Sequence, residues 1–199
     1  MLRVGITGGI GSGKTALTDW LSRKGIVIVD ADLVAREVVQ PGASGLAEIV
    51  EVFGDQYLQA DGHLDRAAMR QLVFNNEAKR RALEAITHPR IRAALAEQMQ
   101  QASSPYVVLS SPLLLESGQS EMVDMSVVID IPEALQIERT MARDKNDRAL
   151  IEQIIAAQIS RENRLALADV VIDNSSDLKS LHDRAALLHE TLLNRGNRH

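Results

Sequence analysis

No cysteine occurs anywhere in the 199 residues. Disulfides, thiolate metal ligands and a cysteine nucleophile are thereby excluded, and the composition fits a reducing compartment. No apolar run approaches the roughly 18 residues of a membrane span. Met1-Leu2-Arg3-Val4-Gly5-Ile6 enters a strand-like segment without the charged-then-apolar order of a signal peptide. Aromatics make up only 3% of the chain, and Trp20, Phe53, Tyr57 and Phe74 are too scattered for a base-stacking platform, so core packing is expected of them. A surplus of positive charge is also missing. With 22 Lys and Arg against 27 Asp and Glu the net charge is −5, which argues against a broad nucleic-acid surface. The expectation is a cytoplasmic protein, and a monomer, since no apolar stripe stands out beyond the core.

What is present is ordinary globular material, 45% hydrophobic and 25% charged, enough for a sizeable core. Short runs rich in valine and isoleucine recur at 2–7, 26–30, 106–111, 125–131 and 169–173, separated by stretches of helical spacing. Leu83, Ile86, Ile91, Leu95 and Met99 form one such stretch, and Leu178, Leu181, Ala185, Leu188 and Leu192 another. Alternation of this kind predicts an α/β fold with a parallel sheet covered by helices on both faces. The alternation lapses between about residues 40 and 100. Pro41 to Gly45 reads as a loop, Asp61-Gly62 as a turn, and 64–101 as nearly all helix. This helical insertion is the expected seat of a second substrate. Residues 144–148 (DKNDR) interrupt two helical stretches and read as the tip of a small lid.

Gly8-Gly9-Ile10-Gly11-Ser12-Gly13-Lys14-Thr15 matches G-x-x-x-x-G-K-[ST] at every fixed position. From average residue usage, a chance match in a chain of this length is on the order of one per cent. Glycines let the backbone wrap a phosphate with its N–H groups inward, and the positive end of the following helix faces the same anion. Lys14 then reaches the β- and γ-phosphates of ATP, and the Thr15 hydroxyl is suited to Mg²⁺. No N-K-x-D guanine reader is present. Leu115-Glu116-Ser117-Gly118-Gln119 resembles a transport-ATPase signature only superficially, with a charge where serine is needed.

The second strand-like run ends in Asp30-Ala31-Asp32. On an extended strand the two aspartates point to one side, at the sheet end where ligands bind. A carboxylate there suits a base for an attacking hydroxyl, or Asp32 caps a helix over 33–39. Arg139 and Arg143 share a face of a predicted helix at 133–143, and Arg148, Arg161 and Arg164 follow. Cations placed against transition-state charge supply much of phosphoryl-transfer catalysis, and Arg143, at the lid's hinge, is the expected one. These residues leave open a kinase of a small-molecule hydroxyl, including a nucleoside monophosphate or a polyol acid, and a module that holds ATP without chemistry.

The order of motifs narrows the choice. GITGGIGSGKT (5–15), DADLVAREVVQPG (30–42), His88-Pro89-Arg90-Ile91, Pro112-Leu113-Leu114-Leu115-Glu116, Gln136-Ile137-Glu138-Arg139, Gln158 and Ala168-Asp169-Val170-Val171-Ile172-Asp173-Asn174 together resemble the dephospho-coenzyme A kinase family over nearly the whole chain. The resemblance implies ATP-dependent phosphorylation of the ribose 3′-hydroxyl of dephospho-coenzyme A, with Mg²⁺. It implies one P-loop nucleoside-kinase-like domain over 1–199, with a core at about 1–60, 103–137 and 166–199, a helical substrate part at 61–102 and a lid at 138–165. Asp32 would be the base, assisted by Lys14 and Arg143. ATP would lie on Gly9, Ile10, Gly11, Ser12, Gly13, Lys14, Thr15 and Ala16, with Asn174 near the adenine and Thr15 on the metal. The acceptor side would comprise Thr7, Asp32, His88, Leu113 and Glu116, His88 as a structural or orienting residue. Many relatives carry an aspartate or valine just before the proline of the P-L-L-x-E element, whereas this chain has Ser110-Ser111. Mg²⁺ then relies on Thr15, phosphates, waters and the Asp30/Asp32 pair.

Overall fold

The structure, a computed structural model, describes residues 1–144 and 147–196. Five strands form one sheet: β1 (Leu2–Gly8), β2 (Val27–Asp30), β3 (Tyr106–Ser110), β4 (Met125–Asp130) and β5 (Val170–Asp173), in the order β2-β3-β1-β4-β5. β1 is parallel to both β3 and β4, with Ile6 opposite Ser110 and Val127, and β4 is parallel to β5. The three inner strands are buried along nearly their whole length, as strands covered on both faces must be. All five expected strands are present, each within two residues of its expected bounds.

The chain divides into two compact units, Met1–Val29 with Met99–His199, and Asp30–Gln98. The first holds α1 (Lys14–Arg23), α6 (Glu133–Asp144), α7 (Arg148–Ala157), α8 (Arg161–Ala166) and α9 (Leu178–Gly196). In α9, Leu181, Ala185, Leu188 and Leu192 are buried in the same cluster as Leu17 and Leu21 of α1 and Val4 and Ile6 of β1. That is the expected stripe except at Leu178, which opens the helix and is exposed. Of the expected lid tip, Asp144 ends α6, Asp147 caps α7 through Leu150 N–H, and Lys145 and Asn146 lie outside the described residues.

The second unit contains α2 (Ala31–Glu37), α3 (Ser44–Phe53), α4 (Arg66–Phe74) and most of α5 (Glu77–Gln101), which runs on past Pro89. It begins at Asp30, well before the expected insertion at 61, because Val39, Ile49, Phe53, Met69 and Ile86 share one buried cluster that binds α3 and the turn after α2 to α4 and α5. Arg90 of α5 adds bonds to Ser44 and Glu48 of α3. Leu58 and Leu64 bridge around the Asp61-Gly62 turn. One expectation and one alternative fail in this unit. Phe74 is not core but 84% exposed, since Met69, Leu72 and Val73 form the inward stripe of α4 and the next residue falls outside it. Asp32 is not the helix cap. α2 starts two residues earlier than expected, and Asp30 Oδ1 accepts from the N–H groups of Asp32 and Leu33 at 2.9 and 3.2 Å.

Candidate active site

β1 delivers the chain at Gly8 into a loop that ends at Gly13, where α1 begins. Gly11 and Gly13 have φ of +73° and +94°, a backbone region in which a side chain is strained. α1 has no side-chain cap and no acid in its first turn, so no side chain of the helix start offsets its partial positive charge. These are the features of an anion cradle. Lys14, at the first position of α1, donates from Nζ to Ser110 Oγ at 2.7 Å. Ser110 and Ser111 are each 1% exposed, so the ammonium rests on a neutral hydroxyl at the end of β3. Thr15 follows on the exposed side of the helix.

The loop is held from behind by the first unit's later elements. Asn174, 6% exposed just after β5, donates from Nδ2 to the Ser12 carbonyl at 2.7 Å and packs so closely on Gly13 that a side chain there would have to displace it. One of the two Nδ2 hydrogens is thus engaged by the loop backbone, and the Asn174 main-chain carbonyl accepts from Arg139 Nη1 at 2.9 Å. Gln158 Oε1 accepts from Ile10 N–H at 3.3 Å. Thr7 is buried, with Oγ1 directed to the Pro112 carbonyl, and Glu116 accepts from Ile159 N–H at 3.2 Å. Leu113 is exposed on the segment that follows β3.

The arginines separate by environment. Arg143 is exposed and forks onto the adjacent Asp144 at 2.6 and 2.7 Å, a contact that raises its pKa. Arg161 forks onto Asp130 at 2.8 and 2.6 Å, and Arg139 bonds the carbonyls of Asn174 and Ser176. Arg164 is different. It is 6% exposed, donates from Nη2 to the Ile159 carbonyl, and its Nη1 lies 2.9 Å from where a methyl on Gly9 would stand. Burial holds its pKa below the ordinary guanidinium value, against the opposing pull of Glu116 and Asp130. A cavity of about 340 Å³ opens among Gln136, Ile155, Gln158, Arg161 and Arg164. The sequence placed Arg164 in the basic cluster but gave no sign that it, rather than Arg143, is the one buried against the loop.

In the second unit, Asp32 is exposed in the first turn of α2. With the helix beginning at Ala31, the alternation of an extended strand does not relate it to Asp30, which is occupied as the cap. His88 is exposed on α5. Arg36 and Arg66 lie three residues before Val39 and Met69, which meet in the unit's core, and burial and the neighbouring Arg36 charge both lower the pKa of Arg66.

A family model for dephospho-CoA kinase matches residues 2–180. A dephospho-CoA kinase of Acinetobacter baylyi is 48% identical over 98% of this chain and 100% of its own length. Among solved structures, a Thermus thermophilus protein superposes with a TM-score of 0.83 at 30% identity, covering 95% of this chain and 97% of the other. A dephospho-CoA kinase from Campylobacter jejuni gives 0.73 at 28% identity, covering 98% of both chains.

Proposed function

The chain belongs to the dephospho-CoA kinase family, and from that premise we propose that it transfers the γ-phosphoryl group of ATP to the ribose 3′-hydroxyl of dephospho-coenzyme A, giving ADP and coenzyme A. The observation that carries this is the uncapped, acid-free start of α1 behind a loop of glycines, with Lys14 poised on a neutral partner. Gly9 to Ala16 hold the triphosphate: loop and helix amides donate to its oxygens, and Lys14 leaves Ser110 for the β- and γ-phosphates. Because Ser110 carries no charge, that departure breaks a hydrogen bond and not an ion pair. Arg164, already desolvated beside the loop, is better placed than Arg143 to stabilise charge on the transferring group.

Asp32 is the group that takes the proton from the attacking hydroxyl. Support comes from its neighbour: Asp30 does the capping of α2, so the Asp32 carboxylate is left for other work. The acceptor binds the helical unit. Arg36 and Arg66, adjacent cations, suit the diphosphate of dephospho-coenzyme A, and His88 orients the acceptor. Among the described residues no cluster of three acids or histidines is ready to hold a metal. Thr15 fits Mg²⁺ as a single hydroxyl ligand completed by phosphate oxygens and water, in keeping with an ion that arrives with its nucleotide. Held there with the nucleotide, such an ion would neutralise charge on the β- and γ-oxygens.

No helix of the described residues is long and apolar enough to cross a membrane, and the net charge of −5 argues against a broad nucleic-acid surface. A cytoplasmic monomer fits both. Competition between dephospho-coenzyme A and AMP for limiting ATP tests the assignment. The expected kcat/KM favours dephospho-coenzyme A by orders of magnitude, and preference for AMP would refute it.

A further inference from the structure

Two hydroxyl groups at the nucleotide loop are sealed from water without a hydrogen-bond partner. One is Ser12 Oγ, within the loop, and the other is Thr140 Oγ1, on α6. Their residues are 1% and 0% exposed. A buried hydroxyl with its hydrogen bond unmade carries a standing free-energy penalty, so a loop flanked by two of them is not in its most favourable state.

Thr140 lies one helical turn beyond Gln136, and both press on the loop. A methyl on Gly11 would stand 2.7 Å from Thr140 Oγ1 and 2.8 Å from the Gln136 carbonyl oxygen. Two loop amides are meanwhile in arrangements that a polyphosphate would replace. Ile10 N–H donates to Gln158 Oε1 at 3.3 Å, and Ser12 N–H to the Gly9 carbonyl at 3.0 Å. When successive amides turn inward to an anion, the peptide units between them turn carbonyls outward. Beside Gly11 the Thr140 hydroxyl is a hydrogen-bond donor, whereas the Gln136 carbonyl oxygen next to it can only accept.

We propose that Thr140 is a positioning residue for the nucleotide loop. Its hydroxyl donates to an outward loop carbonyl beside Gly11 once a polyphosphate has drawn the amides inward. The inference rests on the reading of Gly8–Thr15 as the ATP loop and involves nothing of the acceptor. Because the bond is made only with the loop filled, the hydroxyl favours the loaded state over the empty one. Its removal therefore acts on affinity and spares the fold. It also makes α6, the helix leading into α7 and α8, responsive to whether the loop is occupied.

The test compares wild type, Thr140→Val and Thr140→Ser by calorimetric titration with ATP and by thermal unfolding without ligand. Valine keeps the shape and deletes the hydroxyl, and serine keeps the hydroxyl. The expected result is ATP binding about 3- to 10-fold weaker in Thr140→Val, the worth of one ordinary hydrogen bond. The ligand-free Tm stays level or rises, and Thr140→Ser binds ATP as wild type does. Unchanged ATP affinity in Thr140→Val overturns the proposal. So does a ligand-free Tm that falls in step with affinity, which marks a packing role. If Thr140→Val does not fold, Thr140→Ala against Thr140→Ser makes the same comparison, with equal ATP affinities as the refuting result. Wild-type protein that fails to bind ATP would overturn the nucleotide-loop reading together with this inference, whereas a silent valine variant overturns the inference alone.

Discussion

Asn174→Ala separates a residue that holds the loop from one that reads the base. Asn174 is buried, and its Nδ2 donates to the Ser12 carbonyl at 2.7 Å. Alanine deletes that donor and leaves the carbonyl behind in a poorly hydrated place. Such a loss costs about 1–3 kcal/mol. For a chain of this size each kcal/mol corresponds to about 2–4 °C in Tm, so the ligand-free protein is expected to melt roughly 2–12 °C lower. Because the loop itself is loosened, ATP, GTP and ADP weaken together and the preference for adenine is unchanged. Asn174→Asp, nearly the same shape, is expected to weaken nucleotides further than alanine does. It sets an acceptor against a carbonyl and a negative charge behind the phosphate site. Thermal unfolding without ligand and calorimetric titrations with the three nucleotides provide the readouts. An unaltered Tm combined with lost discrimination between ATP and GTP would refute the reasoning and return Asn174 to the adenine.

Asp32→Asn is expected to bind ATP normally while kcat falls about 10²–10⁴-fold, the usual worth of a positioned base; steady-state rates at wild-type level contradict that role. Lys14→Ala should raise the Kd for ATP and lower kcat together, and a change in neither, measured by titration and turnover, would remove the lysine from phosphate binding. Burial, and secondarily Lys24, lower the pKa of His189, whose Nδ1 sits 2.7 Å from the hydroxyl of the fully buried Tyr106. A histidine with a depressed folded pKa is protonated first in the unfolded chain. Its effect on stability is therefore absent well above the unfolded pKa of about 6.5 and becomes a loss as pH falls through it. The urea midpoint of wild type should drop more between pH 7.5 and 5.5 than that of His189→Asn, and parallel drops would show that this histidine is not responsible.

Much of the fold is legible in the sequence because it rests on repeated, local signals. Each strand is a compact β-branched run, and α9 carries its core stripe in plain spacing, with Leu181, Ala185, Leu188 and Leu192 all buried. The phosphate loop is legible for a different reason: backbone wrapping dictates glycine, lysine and threonine at fixed intervals. Misreadings arise where neighbours decide. Asp30 and Asp32 are equally good caps on paper, and only the abrupt passage from β2 into α2 chooses Asp30. Phe74 looks like core until the stripe of Met69, Leu72 and Val73 turns it outward. The helical unit starts at Asp30 and not near 61 because long-range packing of Val39 and Ile49 on Met69 and Ile86 outweighs the local loop signal. Arg143 and Arg164 have the same side chain, and burial against the loop, a tertiary property, separates them. Thr140 carries no motif at all, and its interest lies in an unmade hydrogen bond that only coordinates reveal.

The most direct test follows the phosphorus. ATP labelled in its γ-phosphoryl group is incubated with the protein, Mg²⁺ and dephospho-coenzyme A, and the label is located in the products by NMR. One equivalent of ADP is expected per equivalent of label appearing as a ribose 3′-phosphomonoester, with slower transfer to the same position by the Lys14→Ala variant. Label released as free phosphate, or found on any other position of the acceptor, would contradict the account.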